Sequence, residues 1–111
     1  MILQQKEIVL LPYPFSDLTR KKVRPALVVS NNEFNNKSED FIAVPLTSII
    51  KDELYSIIIN QEDLRSGKLL KQSIVRADKL FSVDKSLIIM RIGILKDTTF
   101  NKVKSEIIKV F

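Results

Sequence analysis

Residues 23–30 read Val23-Arg24-Pro25-Ala26-Leu27-Val28-Val29-Ser30. Four consecutive apolar residues rich in Val follow a proline, and the run is too short for a helix of ordinary length, so the stretch predicts a strand over Arg24–Ser30. Pro25 belongs at the start of such a strand, where its missing N–H costs least, and it biases Arg24 toward an extended backbone. Similar runs recur on both sides. Glu7–Tyr13, Phe41–Thr47, Tyr55–Asn60, Ser73–Asp78 and Met90–Leu95 are apolar, rich in Val, Ile and Leu, and separated by S-D-L-T-R-K-K, N-N-E-F-N-N-K-S-E, S-I-I-K-D-E and R-S-G-K. Each separator has turn or loop chemistry. The pattern predicts a mainly β fold, barrel-like, with short helices. A helical turn is expected over Val83–Leu87.

The closing segment changes period. Phe100, Val103, Ile107 and then Val110 or Phe111 recur at helical spacing, behind Asp97 or Thr98 as N-cap. A C-terminal amphipathic helix that packs its stripe on the sheet is expected.

The chain has 111 residues, which suits one domain spanning 1–111, and 45% of them are apolar, enough for a packed interior. It contains neither Cys nor His. That composition excludes disulfides, thiolate chemistry, a His general base and the Ser-His-Asp triad. Catalysis here falls to carboxylates, Arg, Lys, Tyr and hydroxyls, or to a hard metal held by carboxylates. The formal net charge of +5 is compatible with an anionic partner: nucleic acid, an acidic protein or an anionic membrane surface. No apolar run approaches the ~18 residues of a membrane span, and the first residues lack the pattern of a signal peptide, so a cytoplasmic protein with no membrane partner is expected.

Several constellations admit phosphate chemistry. Arg24 opens a hydrophobic strand, where it is either a surface cation or a guanidinium fork for a phosphate. Thr47 and Ser48 end V-P-L-T-S, where hydroxyls make local turn bonds or donate to phosphate oxygens. Asp17, Arg20, Lys21 and Lys22 follow the aromatic Tyr13-Pro14-Phe15, which reads as a solvated loop or as a hold on single-stranded nucleic acid by charge and stacking. In S-I-V-R-A-D, strand alternation puts Arg76 and Asp78 on one face, as an ordinary surface ion pair or as an acid/base pair.

The combination E-I-V-L-L-P-Y-P-F-S-D, V-R-P-A-L-V-V-S, V-P-L-T-S, S-I-V-R-A-D-K-L, S-V-D-K-S and R-I-G-I-L, closed by the terminal helix, resembles the MazF/PemK/Kid family of toxin endoribonucleases from type II toxin–antitoxin pairs. The resemblance runs along nearly the whole chain. It implies an SH3-like barrel of the MazF/PemK/Kid/CcdB kind, a homodimer, a groove for single-stranded mRNA near the dimer interface, a cognate antitoxin with an acidic segment, and no metal or other cofactor. Arg24 and Thr47 match the family's positions at the scissile phosphate, with Ser48 beside them, and Arg76 and Asp78 match the pair that Kid-type members use in acid/base chemistry. Lys6 departs from the pattern, standing where family members usually carry glycine. A non-catalytic toxin on the same barrel that binds a protein such as DNA gyrase, or a member that binds RNA without cleaving it, is the alternative.

Overall fold

The computed structural model describes residues 2–13, 22–48 and 54–111. Eight strands run in chain order: β1 (Glu7–Tyr13), β2 (Lys22–Val28), β3 (Asp40–Thr47), β4 (Ser56–Ile59), β5 (Leu64–Gly67), β6 (Ser73–Arg76), β7 (Phe81–Asp84) and β8 (Met90–Leu95). Helix α1 (Asn32–Lys37) lies between β2 and β3, and α2 (Asp97–Lys109) closes the chain. The strands join in the order β4-β6-β3-β2-β1-β8-β5, with β7 paired to β3, and all recorded pairings are antiparallel.

Curvature gives this sheet a core on each face. Ile8, Leu27, Val44, Leu46, Val75 and Leu95 form one cluster with Phe100 and Val103 of α2, while Val9, Leu11, Ala26, Val28, Phe41 and Ala43 form a second with Leu3. Alternate residues of one strand therefore enter different cores. This is why the strands read as continuous apolar runs instead of alternating ones. Each Leu, Ile or Val so buried contributes roughly 1.5–3 kcal/mol of transfer free energy.

The expected bounds of β1 and β8 match the structure, and β2 begins two residues earlier than expected and ends at Val28. Three other expectations are corrected. The expected strand over Ser73–Asp78 stops at Arg76, and Ala77–Asp78 forms a turn in which the Lys79 N–H donates to the Arg76 carbonyl at 3.2 Å. The N-N-E-F-N-N-K separator folds as α1, because the Asn31 side chain accepts from the Phe34 N–H at 2.8 Å and caps it. R-S-G-K is largely β5, whose Gly67 faces Gly93 of β8. A Cβ at Gly67 would collide with the Ile92 carbonyl, and the residue holds φ +90. Only glycine meets both demands.

The expected helical turn over Val83–Leu87 splits into the end of β7 and a 3₁₀ turn at Lys85–Leu87. Asp97 is the first residue of α2 instead of its cap, and Lys96 precedes the helix without a side-chain capping bond. The Asp97 carboxylate meets Lys6 Nζ at 3.0 Å, and this bond draws its pKa below the ordinary value. A negative charge also suits the first turn of a helix. Phe100 and Val103 are buried and Ile107 packs beside them, whereas Phe111 is 91% exposed and lies off the stripe. Lys6, the departure from glycine, sits at φ +81. Glycine adopts that left-handed conformation without strain, and a side chain such as lysine rarely does. Here the Lys6 carbonyl accepts from the Leu95 N–H, and its ammonium lies 5.7 Å from the centre of the Phe100 ring. Among the described residues no helix is long and apolar enough to cross a membrane.

Candidate active site

Three neighbouring strands carry the candidate residues. β2 and β3 pair Ala26 with Pro45, and the same register continued two residues sets Arg24 across from Thr47. On the far edge of β3, Thr47 pairs with Ile74 of β6, and Arg76, two residues along, pairs with Ser56 of β4. Period-two alternation then puts Arg24, Thr47, Arg76 and Ser56 on one face, the face that holds Val9, Leu11 and Ala26. Thr47 and Arg76 are diagonal neighbours, about 7–8 Å apart at the backbone. Arg24 and Thr47 are each half-buried.

Asp78 reaches this face by a turn. β3 pairs with β7 through Asp40–Ala43 and with β6 through Leu46–Thr47, so the changeover falls at Val44–Pro45. Pro45 has no N–H to lose there. The chain between β6 and β7 can leave the sheet at this level, and the Ala77 N–H bonds instead to the Tyr55 carbonyl at 2.9 Å. The turn folds Asp78 back onto Arg76. Arg76 Nε donates to Oδ1 at 3.1 Å and Nη2 donates to Oδ2 at 3.0 Å, a planar two-bond fork. The two side chains are 19% and 29% exposed, open enough to meet a ligand. The Arg76 fork holds the Asp78 carboxyl below its ordinary value, partial burial opposes the shift, and the residue's own backbone amide and Lys79 reinforce it.

The other candidate residues divide. Ser48 is exposed just past β3 and lines a different feature, an apolar cleft of about 480 Å³ formed by Leu10, Pro25, Leu69 and Met90 and bordered by Lys68, Lys71 and Arg91. Lys22 opens β2 opposite Tyr13, two residues from Arg24, and only its backbone is described. Asp17, Arg20 and Lys21 lie outside the described residues. Sequence reasoning missed Ser56, which pairs with Arg76, and Phe81, which starts β7 three residues after Asp78. Ser56 was findable only through strand register. Phe81 followed the motif directly, and its aromatic ring was the available signal. Among the described residues no group of three or more carboxylates gathers as a metal site would need.

Comparison with known proteins places this geometry in context. No curated protein matches the chain in sequence. Among solved structures, the MazE–MazF complex from Deinococcus radiodurans superposes with a TM-score of 0.81 at 19% identity, covering 99% of this chain and 96% of that one. An endoribonuclease in complex with its cognate antitoxin, from a mycobacterial species, gives 0.78 at 21% identity over 97% and 93%. The Mycobacterium tuberculosis toxin MazF-mt6 gives 0.72 at 16% identity over 93% and 95%. At such identities these likenesses speak to the fold. The family described as PemK-like, MazF-like toxin of type II toxin–antitoxin systems matches residues 4–111. With nearly its whole length matched, this chain belongs to the PemK/MazF-like toxin family of type II toxin–antitoxin systems.

Proposed function

We propose that this toxin is a metal-independent endoribonuclease that cleaves single-stranded mRNA in the cytoplasm. The observation that carries the reading is the fork between Arg76 and Asp78, set beside Arg24 and Thr47 on one sheet face. RNA supplies its own nucleophile. The 2′-oxygen bonds to the adjacent phosphorus, the bond from phosphorus to the 5′-oxygen breaks, and the products carry a 2′,3′-cyclic phosphate and a 5′-hydroxyl. Asp78 takes the 2′-proton, and Arg24 with Thr47 meets the negative charge that grows on the phosphorane. A second group returns a proton to the 5′-oxygen. Arg is a poor donor for that step, since its pKa exceeds ~12, so both arginines act electrostatically.

The fork has two opposing effects. It keeps Asp78 ionised, yet a carboxylate stabilised by a cation is a weaker proton acceptor. A bound phosphate resolves the conflict by drawing Arg76 toward itself, which loosens the fork and strengthens the base at the moment it is needed. The toxin works as a homodimer in this reading, supported by the sheet-edge strand β4, where Ile58 is exposed across from Ile74 and the exposed Leu54 just precedes the strand. The antitoxin contributes an acidic segment, for which the apolar cleft rimmed by Lys68, Lys71 and Arg91 offers matching chemistry.

The test is to incubate the purified protein with RNA in EDTA and to analyse the fragment ends. Fragments with cyclic phosphate and 5′-hydroxyl ends are expected. Cleavage that appears only after a divalent metal is restored, or that leaves 5′-phosphates, would refute the mechanism.

A further inference from the structure

We infer that the apolar groove between β1 and β7 is a subsite for one nucleobase of the RNA, that of the nucleotide adjoining the phosphate held by Arg24. The inference rests on the nuclease reading above. The groove has a volume of about 320 Å³ and is lined by Leu11, Pro12, Phe81, Val83, Leu87 and Asp84. It is bracketed by the two halves of the candidate active site. Leu11 is the cross-strand partner of Arg24, and Phe81 follows the Arg76–Asp78 turn by three residues. A ligand that fills it therefore presents an anion to Arg24 and a compact, flat-sided apolar group to Leu11 and Phe81. A nucleotide has that shape, with a phosphate at one end and a stackable base at the other.

The groove also carries means to read the base. Phe81 is half-buried and packs on the cluster containing Leu11, so its ring is held in place. Leu87 is 46% exposed on the 3₁₀ turn that closes the groove. Asp84 Oδ1 accepts from the Ser86 N–H at 2.8 Å, and this bond holds the carboxyl below its ordinary value. An ionised Asp84 is an acceptor only. It suits bases that present an exocyclic amine, adenine, cytosine or guanine, over uracil, whose single N3–H donor sits between two carbonyl oxygens that repel a carboxylate.

The test uses a short RNA with a 2′-deoxy sugar at the cleaved nucleotide, so that binding is measured without turnover, and with its bases removed one position at a time. At one nucleotide next to the cleavage point, base removal should weaken binding by wild type about tenfold and should weaken the Phe81→Leu variant little further. Leu87→Ala, at an exposed position, gives the same comparison if Phe81→Leu fails to fold. Asp84→Asn should narrow the preference for an amine-bearing base over uracil at that nucleotide alone. If every position loses equally in wild type and variants while intact RNA is still cleaved, the subsite is overturned and the nuclease reading stands. If wild type neither binds nor cleaves RNA, both fall.

Discussion

Two pairs of one Arg with one carboxylate occupy opposite roles in this molecule. Arg91 Nε lies 3.3 Å from Glu7 Oε1, and Arg76 grips Asp78 at 3.0–3.1 Å. Glu7 is enclosed, with a side chain 4% exposed, and its other oxygen accepts from the Gln4 N–H at 2.6 Å, while Arg91 also donates to the Ile2 carbonyl. That network ties the N-terminal segment to β8. Asp78 sits in a turn at 29% exposure, with a single guanidinium spanning both of its oxygens. The chemistry is the same and the desolvation is not. Burial commits the Glu7 carboxylate to holding the fold, although Arg91 itself is 34% exposed, and the openness of Asp78 leaves that carboxylate able to trade its partner for a ligand.

The most severe way to break this comparison is Asp78→Asn. Shape and reach are kept and the proton acceptor is lost, so single-turnover cleavage of an RNA oligonucleotide should fall roughly 10²–10⁴-fold. Stability should change by no more than ~1 kcal/mol, since the pair is partly exposed. A folded variant that keeps more than about a tenth of the rate would move the base elsewhere. Arg91→Ala is the counterpart at the enclosed carboxylate of Glu7. It strands the Glu7 carboxylate without its cation, and a loss of ~3–5 kcal/mol in denaturant unfolding is expected. A loss below ~1 kcal/mol would put Glu7 in the same class as Asp78.

Arg24→Ala follows in size. If the guanidinium meets charge that develops only in the transition state, the cleavage rate should drop ~10²–10³-fold while RNA affinity falls much less. Equal losses in both would make Arg24 a simple phosphate anchor. The smallest effect is a flat line. Because Arg76 holds Asp78 below its ordinary value of 3.8 in the free protein, the carboxylate stays ionised there, and kcat/KM should be flat between pH 7 and pH 5. The stability that the fork contributes is fully present above that ordinary value and is lost only as pH falls through the lower folded value. At saturating RNA, where the bound phosphate has loosened the fork, Asp78 should titrate at a higher pH than in the free enzyme, and identical profiles in the two regimes would mean that the fork stays closed on RNA.

How far these features were legible in the sequence depends on what holds each of them. β1 and β8 were readable to the residue because their own apolar runs specify them. β5 and β7 were missed, since L-R-S-G and F-S-V-D are short and half polar and owe their conformation to pairing with β8 and β3. Helix α1 is rich in Asn and depends on its Asn31 cap, so it reads as a loop. Arg24, Thr47 and Arg76 were legible because strand residues inherit their facing from position. Asp78 was placed on the correct face for the wrong reason. Alternation predicted a straight strand, and the structure uses a turn at the level where β3 changes partner from β6 to β7, an arrangement set by pairing between segments far apart in sequence.

The pairing of β1 with β8 also bears on how this chain is made. Glu7 finds its partner Ile94 only after a further 87 residues (94 − 7) have been made. At ~5–20 residues per second, the interval between the two is on the order of 4–17 s. Throughout it, the outer edge of β1 is a row of unpaired N–H and carbonyl groups beside Val9 and Leu11, and Arg24 stands on a hairpin that nothing yet encloses. Such an edge is a template for any other strand that reaches it. Newly made chains are thus most prone to mispairing while still on the ribosome, and crowding of ribosomes on one message aggravates the hazard.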